Sequence, residues 1–143
     1  MKLHPYAHAY RQNSVQTATP GQLILMLFDG ALRFMNRAIE GFEEKEVGAR
    51  NEAIHINLMK SQAILDELQN SLDHTAGGSL ARTLTDLYDF MRGQLRLANT
   101  RKDSAPVRVV VELLGDIRGA WSAMLAQIDD QAPAASAWVA TAA

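Results

Sequence analysis

Ile54, Leu58, Ser61, Leu65, Leu68 and Leu72 recur at alternating steps of four and three residues, the spacing that sets one face of a helix into the seam of an antiparallel bundle. Three further segments repeat the pattern. One carries Ile24, Leu27/Phe28, Ala31, Phe34/Met35, Ala38 and Phe42; the next Leu80, Leu84, Leu87, Met91, Gln94/Leu95 and Ala98; the last Val107, Val110, Leu114, Ile117, Trp121, Met124 and Ile128. Short breaks separate them at Glu46-Val-Gly48, at His74 to Ser79 with Gly77-Gly78 reading as a terminator and turn, and at Lys102 to Pro106. The predicted helices are 20–44, 48–73, 79–101 and 105–129, with Ser79 and either Asp103 or Ser104 as N-caps. Short links between long helices place successive helices antiparallel. The predicted fold is therefore all-α, an antiparallel up-down-up-down four-helix bundle over 20–130, with an N-terminal arm over 1–19 and an Ala-rich, flexible or loosely packed tail over 131–143.

Composition agrees and narrows the function classes. A chain of 143 residues suits one domain with a core large enough to need no metal or crosslink, and 48% hydrophobic content with 6% aromatic favours aliphatic helix packing. Cysteine is absent, which removes disulfides, thiolate metal sites and a cysteine nucleophile. Fourteen basic residues are scattered among sixteen acidic ones, so the clustered positive charge that nucleic-acid binding requires is missing. Neither a signal-peptide core nor a run of about 20 apolar residues occurs, and the expected setting is the cytosol, without membrane insertion.

The first helix opens on a well-defined signal: Thr19 as N-cap, Pro20 at the first helical position and Gln22 as the reciprocal capping-box residue. Leu23 to Phe28 then gives six apolar residues in a row, more than a helix with one buried face needs. Second apolar stripes run outside the seams, with Ile56, Met59 and Ala63 on the second helix, Phe90 and Leu97 on the third, and Val109 and Leu113 on the fourth. Together they exceed what one bundle core hides, and large apolar patches mark partner surfaces, typically grooves that receive an amphipathic helix.

Catalytic and metal constellations are weak. Glu52-Ala-Ile-His55 has the spacing of a di-iron bundle ligand pair, but the second such pair is absent, and position 55 stands about 100° around the helix from the seam residue Ile54. His55 with Lys60 is the one pair that a histidine phosphotransfer bundle could use, and this is the alternative reading. No paired carboxylates or Ser/His/Asp set stands out; the chain is not expected to be an enzyme, and no cofactor is expected.

In order along the chain stand Tyr10, Asn13-Ser-Val15 and Thr17-Ala18-Thr19-Pro20; Leu23, then Met26-Leu27-Phe28-Asp29-Gly30; Asn51-Glu52; Ile64, Leu68 and Leu72-Asp73; Leu87-Tyr88-Asp89-Phe90-Met91; Ala98-Asn99; and Ala120-Trp121. In order and spacing these residues resemble the flagellin export chaperone family of the FliS type, from Tyr10 to about Gln127. Met1 to Ala9 is a longer lead than the family pattern, and Pro133 to Ala143 lies outside it. The resemblance implies a cytosolic chaperone that binds the disordered C-terminal segment of flagellin, blocks its polymerisation and delivers it to the flagellar export gate. An anti-sigma factor or other flagellin-binding regulator, and a homodimer, are further partners it leaves open. Combined with the outer stripes, it makes Tyr10, Val15, Ala18, Pro20, Leu23, Met26, Ile56, Met59, Ala63, Tyr88 and Leu97 the candidate client-binding residues. The arm from Tyr6 to Ala18 is expected to cover part of the Leu23–Phe28 face when no client is bound.

Overall fold

Helix α1, Pro20–Gly41, begins as its sequence dictates. The Thr19 hydroxyl accepts from the Gln22 N–H at 3.2 Å, and the Gln22 side chain accepts from the Thr19 N–H at 3.0 Å, closing the capping box around Pro20. The computed structural model describes residues 18–130. Three more helices follow: α2 over Val47–Asn70, α3 over His74–Arg101 and α4 over Ala105–Asp130. The described residues contain no strand. No helix among them is long and apolar enough to cross a membrane.

The helix ends differ from the sequence expectation for local reasons. Past Gly41 the chain continues in three-residue turns, with Glu43 N–H donating to the Glu40 carbonyl and Glu44 N–H to that of Gly41, so α1 tightens before Glu44. Glu46 caps α2 by accepting from the N–H groups of Gly48 and Ala49. Those two donors, Ala49 first, hold its carboxyl below the ordinary glutamate value. Asp73, and not Ser79, caps α3, accepting from Thr75 and Ala76 at 3.0 Å each. One helical turn follows before Gly78 interrupts the backbone at φ 54, ψ −125, a conformation reserved for glycine. The Gly77-Gly78 break is thus present, but inside α3. At α4 the Ser104 carbonyl receives the first helical bond from Arg108, and the Asp103 side chain accepts from Ala105.

Each helix packs on its chain neighbours, and α1 also packs on α4. Residue pairs across the interfaces run in opposite sense: Gly41 meets Ala53 while Gly30 meets Ile64; Gln69 meets Asp89, Asp66 meets Arg92 and His55 meets Asn99; Gly21 meets Leu125 while Asp29 meets Arg118. The contact of α1 with α2 is the most extensive. Small residues permit it, since a Cβ on Gly41 would stand 3.0 Å from that of Ala53. The predicted seams of α1, α2 and α4 form the core, with Ala31, Met35, Ala38, Ile54, Leu58, Leu65, Val107, Val110 and Leu114 fully enclosed. Ser61 is enclosed too, its hydroxyl satisfied by the Asn57 carbonyl at 2.8 Å.

In α3 the seam holds for Met91, Leu95 and Ala98, but towards its start Ala81 and Tyr88 take the innermost positions and Leu80, Leu84 and Leu87 are half-buried. Leu65→Ala and Leu114→Ala should each lower unfolding free energy by about 2–5 kcal/mol through cavity formation. Gly78→Ala should cost about 1–3 kcal/mol from backbone strain alone, because no atom lies within 4 Å of the added Cβ. Urea titrations followed by circular dichroism check all three, and an effect well under 1 kcal/mol at both leucines would contradict the seam.

Candidate functional site

Two surfaces stand out from the packed bundle, and the helices that build the core position both. The first lies at the end where α1 and α3 begin and α2 and α4 finish. Trp121 of α4 donates its indole N–H to the Gly21 carbonyl at 2.9 Å and meets the Phe28 ring edge-on at 6.1 Å between centroids. This pins the first turns of α1 to α4. Beside it opens a cavity of about 200 Å³ walled by α1, α2, α3 and α4, among them Phe28, Leu72, Leu84, Tyr88, Ile117 and Trp121. From α3 its walls are Leu80 and Leu84, both only half-buried, together with the core residue Tyr88.

The second surface is the outside of the bundle. On α2, Ala63 lies nine residues from the core residue Ile54, which turns it about 180° away. Ile56 and Met59 share that outward face and are 39% and 49% exposed. On α3 and α4, Phe90 and Val109 are 47% and 48% exposed, while Leu97 and Leu113 are half-buried. The three-residue link from α3 to α4 folds these helices back on each other. Helical spacing then brings Phe90 and Leu97 along the side where Val109 and Leu113 lie, an apolar groove on the outer α3–α4 edge.

A polar seam separates the two stripes. Where α2 meets α3 on the outside, Arg92 pairs with Asp66 at 3.2 Å and with Asp89, Gln69 donates to Asp89 at 3.2 Å, and Asn99 contacts His55 Nδ1 at 2.9 Å while accepting from Lys102. Exposed pairs of this kind add little stability, but they leave the α2–α3 edge polar between two apolar stripes. The Asp29–Arg118 pair at 2.8 Å plays the same part on the α1–α4 edge. Gly30 beside it is the site of close approach to Ile64, where an added Cβ would stand 3.3 Å from the Ile64 Cδ1.

The sequence-derived candidates do not gather in one patch. Ile56, Met59 and Ala63 share the outer face of α2. Leu97 belongs to the α3–α4 groove, together with Phe90, Val109 and Leu113, which the stripes mark but the candidate set omits. Leu23 and Met26 are half-buried along α1, Ala18 is half-buried before its cap, and Pro20 is exposed at its first turn. Tyr88 is core, 2% exposed, and forms a wall of the cavity. Tyr10 and Val15 lie outside the described residues. Cavity residues Leu80, Leu84 and Ile117 belong to the predicted seams; their signal is the Gly78 interruption, which unsettles the first turns of α3.

The phosphotransfer pair is split. His55 faces α3, in contact with Asn99, whereas Lys60 faces α1, its ammonium 5.3 Å above the Phe34 ring. Among the described residues no group of three or more His, Asp or Glu side chains is arranged to hold a metal.

The model of the family described as flagellar protein FliS matches residues 2–128. This chain belongs to the FliS family. It is 40% identical over 117 residues to the flagellar secretion chaperone FliS of Salmonella typhimurium, covering 81% of this chain and 84% of that protein. To the flagellar secretion chaperone FliS of Bacillus subtilis it is 38% identical over 118 residues, covering 82% and 84%. The flagellar secretion chaperone FliSB of Pseudomonas aeruginosa is 30% identical over 116 residues, 78% and 89% of the two chains. FliS proteins are chaperones and not enzymes, and membership removes the phosphotransfer alternative at the level of the family as the split pair does at the level of geometry.

Burial raises the Tyr88 phenol well above its ordinary value. Its neutral form is therefore the one the folded FliS chain favours. The stabilisation from keeping it neutral is complete below the unfolded value of about 10 and is lost as pH rises beyond it towards the folded value. Thermal unfolding temperature should fall more steeply above about pH 10 in the native chain than in Tyr88→Phe, measured in parallel scans; identical pH profiles would contradict the burial of this hydroxyl.

Proposed function

We propose that this FliS chain is a cytosolic export chaperone that holds the C-terminal segment of flagellin along its outer apolar stripes, blocks polymerisation and presents the segment to the flagellar export gate. The observation that carries the reading is that large apolar side chains remain exposed at helical spacing on α2 and in the α3–α4 groove, outside the seams that the bundle encloses. A disordered client needs long apolar contact to offset the entropy of its ordering. Two stripes divided by a polar seam suit a segment that crosses the bundle and docks at two places, better than one compact ligand.

The arm from Tyr6 to Ala18 is proposed to compete with client for the Leu23–Phe28 face; a client that displaces it binds with an affinity reduced by the covered fraction. No described residue singles out an anti-sigma factor, another flagellin-binding regulator or a second copy of this chain as a further occupant of the stripes.

Ile56→Asp and Phe90→Asp, made separately, should each weaken binding of a flagellin C-terminal peptide by at least about tenfold, since ~1.4 kcal/mol suffices for that factor and an unpaired buried charge costs more. Both sites face water in the free chain, so helicity and unfolding midpoint should stay near those of the parent. Titration calorimetry with circular dichroism on the same samples decides it. Unchanged affinity in both variants, or loss of helicity in step with binding, would overturn the assignment.

A further inference from the structure

The cavity at the end of the bundle offers an apolar surface that the client stripes do not use. Ser71 is the one hydroxyl side chain in its lining besides the Tyr88 phenol, and Ser71 already donates to the Leu68 carbonyl at 2.7 Å. The Trp121 N–H is likewise engaged. A ligand for this space is therefore apolar and needs no specific donor. A dry cavity of about 150 Å³ accepts a benzene-sized ring, so about 200 Å³ with an open mouth accepts an indole.

The sequence supplies one. Residues 131–143, Gln-Ala-Pro-Ala-Ala-Ser-Ala-Trp-Val-Ala-Thr-Ala-Ala, carry no charge, and their large side chains are Trp138 and Val139 in succession. The lead, residues 1–17, carries Lys2, Arg11 and two histidines. Charge keeps a segment solvated; the segment without charged side chains carries an indole that an apolar wall can receive. Its attachment point is also correct. Trp121 and Ile117 line the cavity from α4, and α4 ends at Asp130, about 14 Å along the axis from Trp121. Residues 131–137 reach up to about 24 Å when extended. Pro133 cannot continue α4 without losing a helical hydrogen bond, which favours a change of direction there. The family match stops at residue 128, so the tail lies outside it, whereas every residue that lines the cavity lies within it.

We propose that residues 131–143 fold back over the end of the bundle and seat Trp138, backed by Val139, in the cavity between Leu84, Tyr88 and Ala120. The tail then acts as an intramolecular plug that covers the apolar lining at the start of α1 and α3. It withdraws that lining from a second copy, while Leu23, Leu25 and Met26 of α1, which lie outside the lining, stay open to arm and client.

The full chain labelled with 5-fluorotryptophan has two fluorine resonances, from Trp121 and Trp138, and Trp138→Phe assigns them. The expected result is a Trp138 resonance with the weak solvent-isotope response of a buried indole, independent of protein concentration. Ala120→Asp, at an exposed lining position, should shift Trp138 to the solvent-exposed position while unfolding stays cooperative, and Leu84→Asp should do the same. A solvent-like Trp138 in the parent chain overturns the proposal, whatever else fills the cavity. A buried Trp138 that persists in both aspartate variants, or one whose burial grows with concentration as docking on a second copy would, overturns it as well.

Discussion

Helix α2 carries apolar residues on two opposite faces, and the bundle can cover only one of them. Ile54, Leu58, Leu65 and Leu68 are enclosed by the neighbouring helices. Ile56 and Met59 look the other way. Burying a side chain of this size is worth about 1.5–3 kcal/mol, so each one left outside is a contribution that folding does not collect and that binding can. On the proposed reading this outer face of α2 is what the partner covers, and the same holds for Phe90 on α3 and Val109 on α4.

The rest of the molecule arranges how that surface is presented. Close approach of α1 to α2 at Gly30 and Gly41 fixes the inner face of α2 and so the direction of the outer one. Arg92, Asp66, Asp89 and Gln69 then divide the outside into two lanes. At the far end the indole of Trp121 ties the first turn of α1 to α4, beside the cavity that Leu80, Leu84 and Tyr88 wall from α3. The chain leaves the described bundle at this end in both directions, which makes it the natural place for terminal segments to compete for apolar contact.

Most of the fold was legible in the sequence because seam residues at steps of three and four report the core face directly. The seams of α1, α2 and α4 could be read residue by residue, as could the capping box at Thr19. The start of α3 was read less well: Ser79 looks like a cap, but Asp73 stands six residues earlier and offers a stronger acceptor, and the left-handed Gly78 lets one turn of helix precede the break. The proposed client surface was legible as stripes and not as a surface. Periodicity distinguishes Ile56 from Ile54, yet it does not reveal that the α2–α3 edge is polar, because Asp66–Arg92 and His55–Asn99 are contacts between distant positions. Tyr88 shows the same limit: its amphipathic side chain suits a partner surface or a core wall, and packing decides for the wall.

The central claim is that the outer faces of α2 and of the α3–α4 edge are the client surface, with the polar seam between them left free. Hydrogen–deuterium exchange on the full chain, with and without a saturating flagellin C-terminal peptide, tests it most directly. The account predicts slowed exchange in the segments around Ile56–Ala63 and in those around Phe90–Leu97 and Val109–Leu113, with little change at the α1–α4 edge near Asp29 and Arg118. Protection confined to that edge, or none in α2 and α3 at saturation, would contradict it.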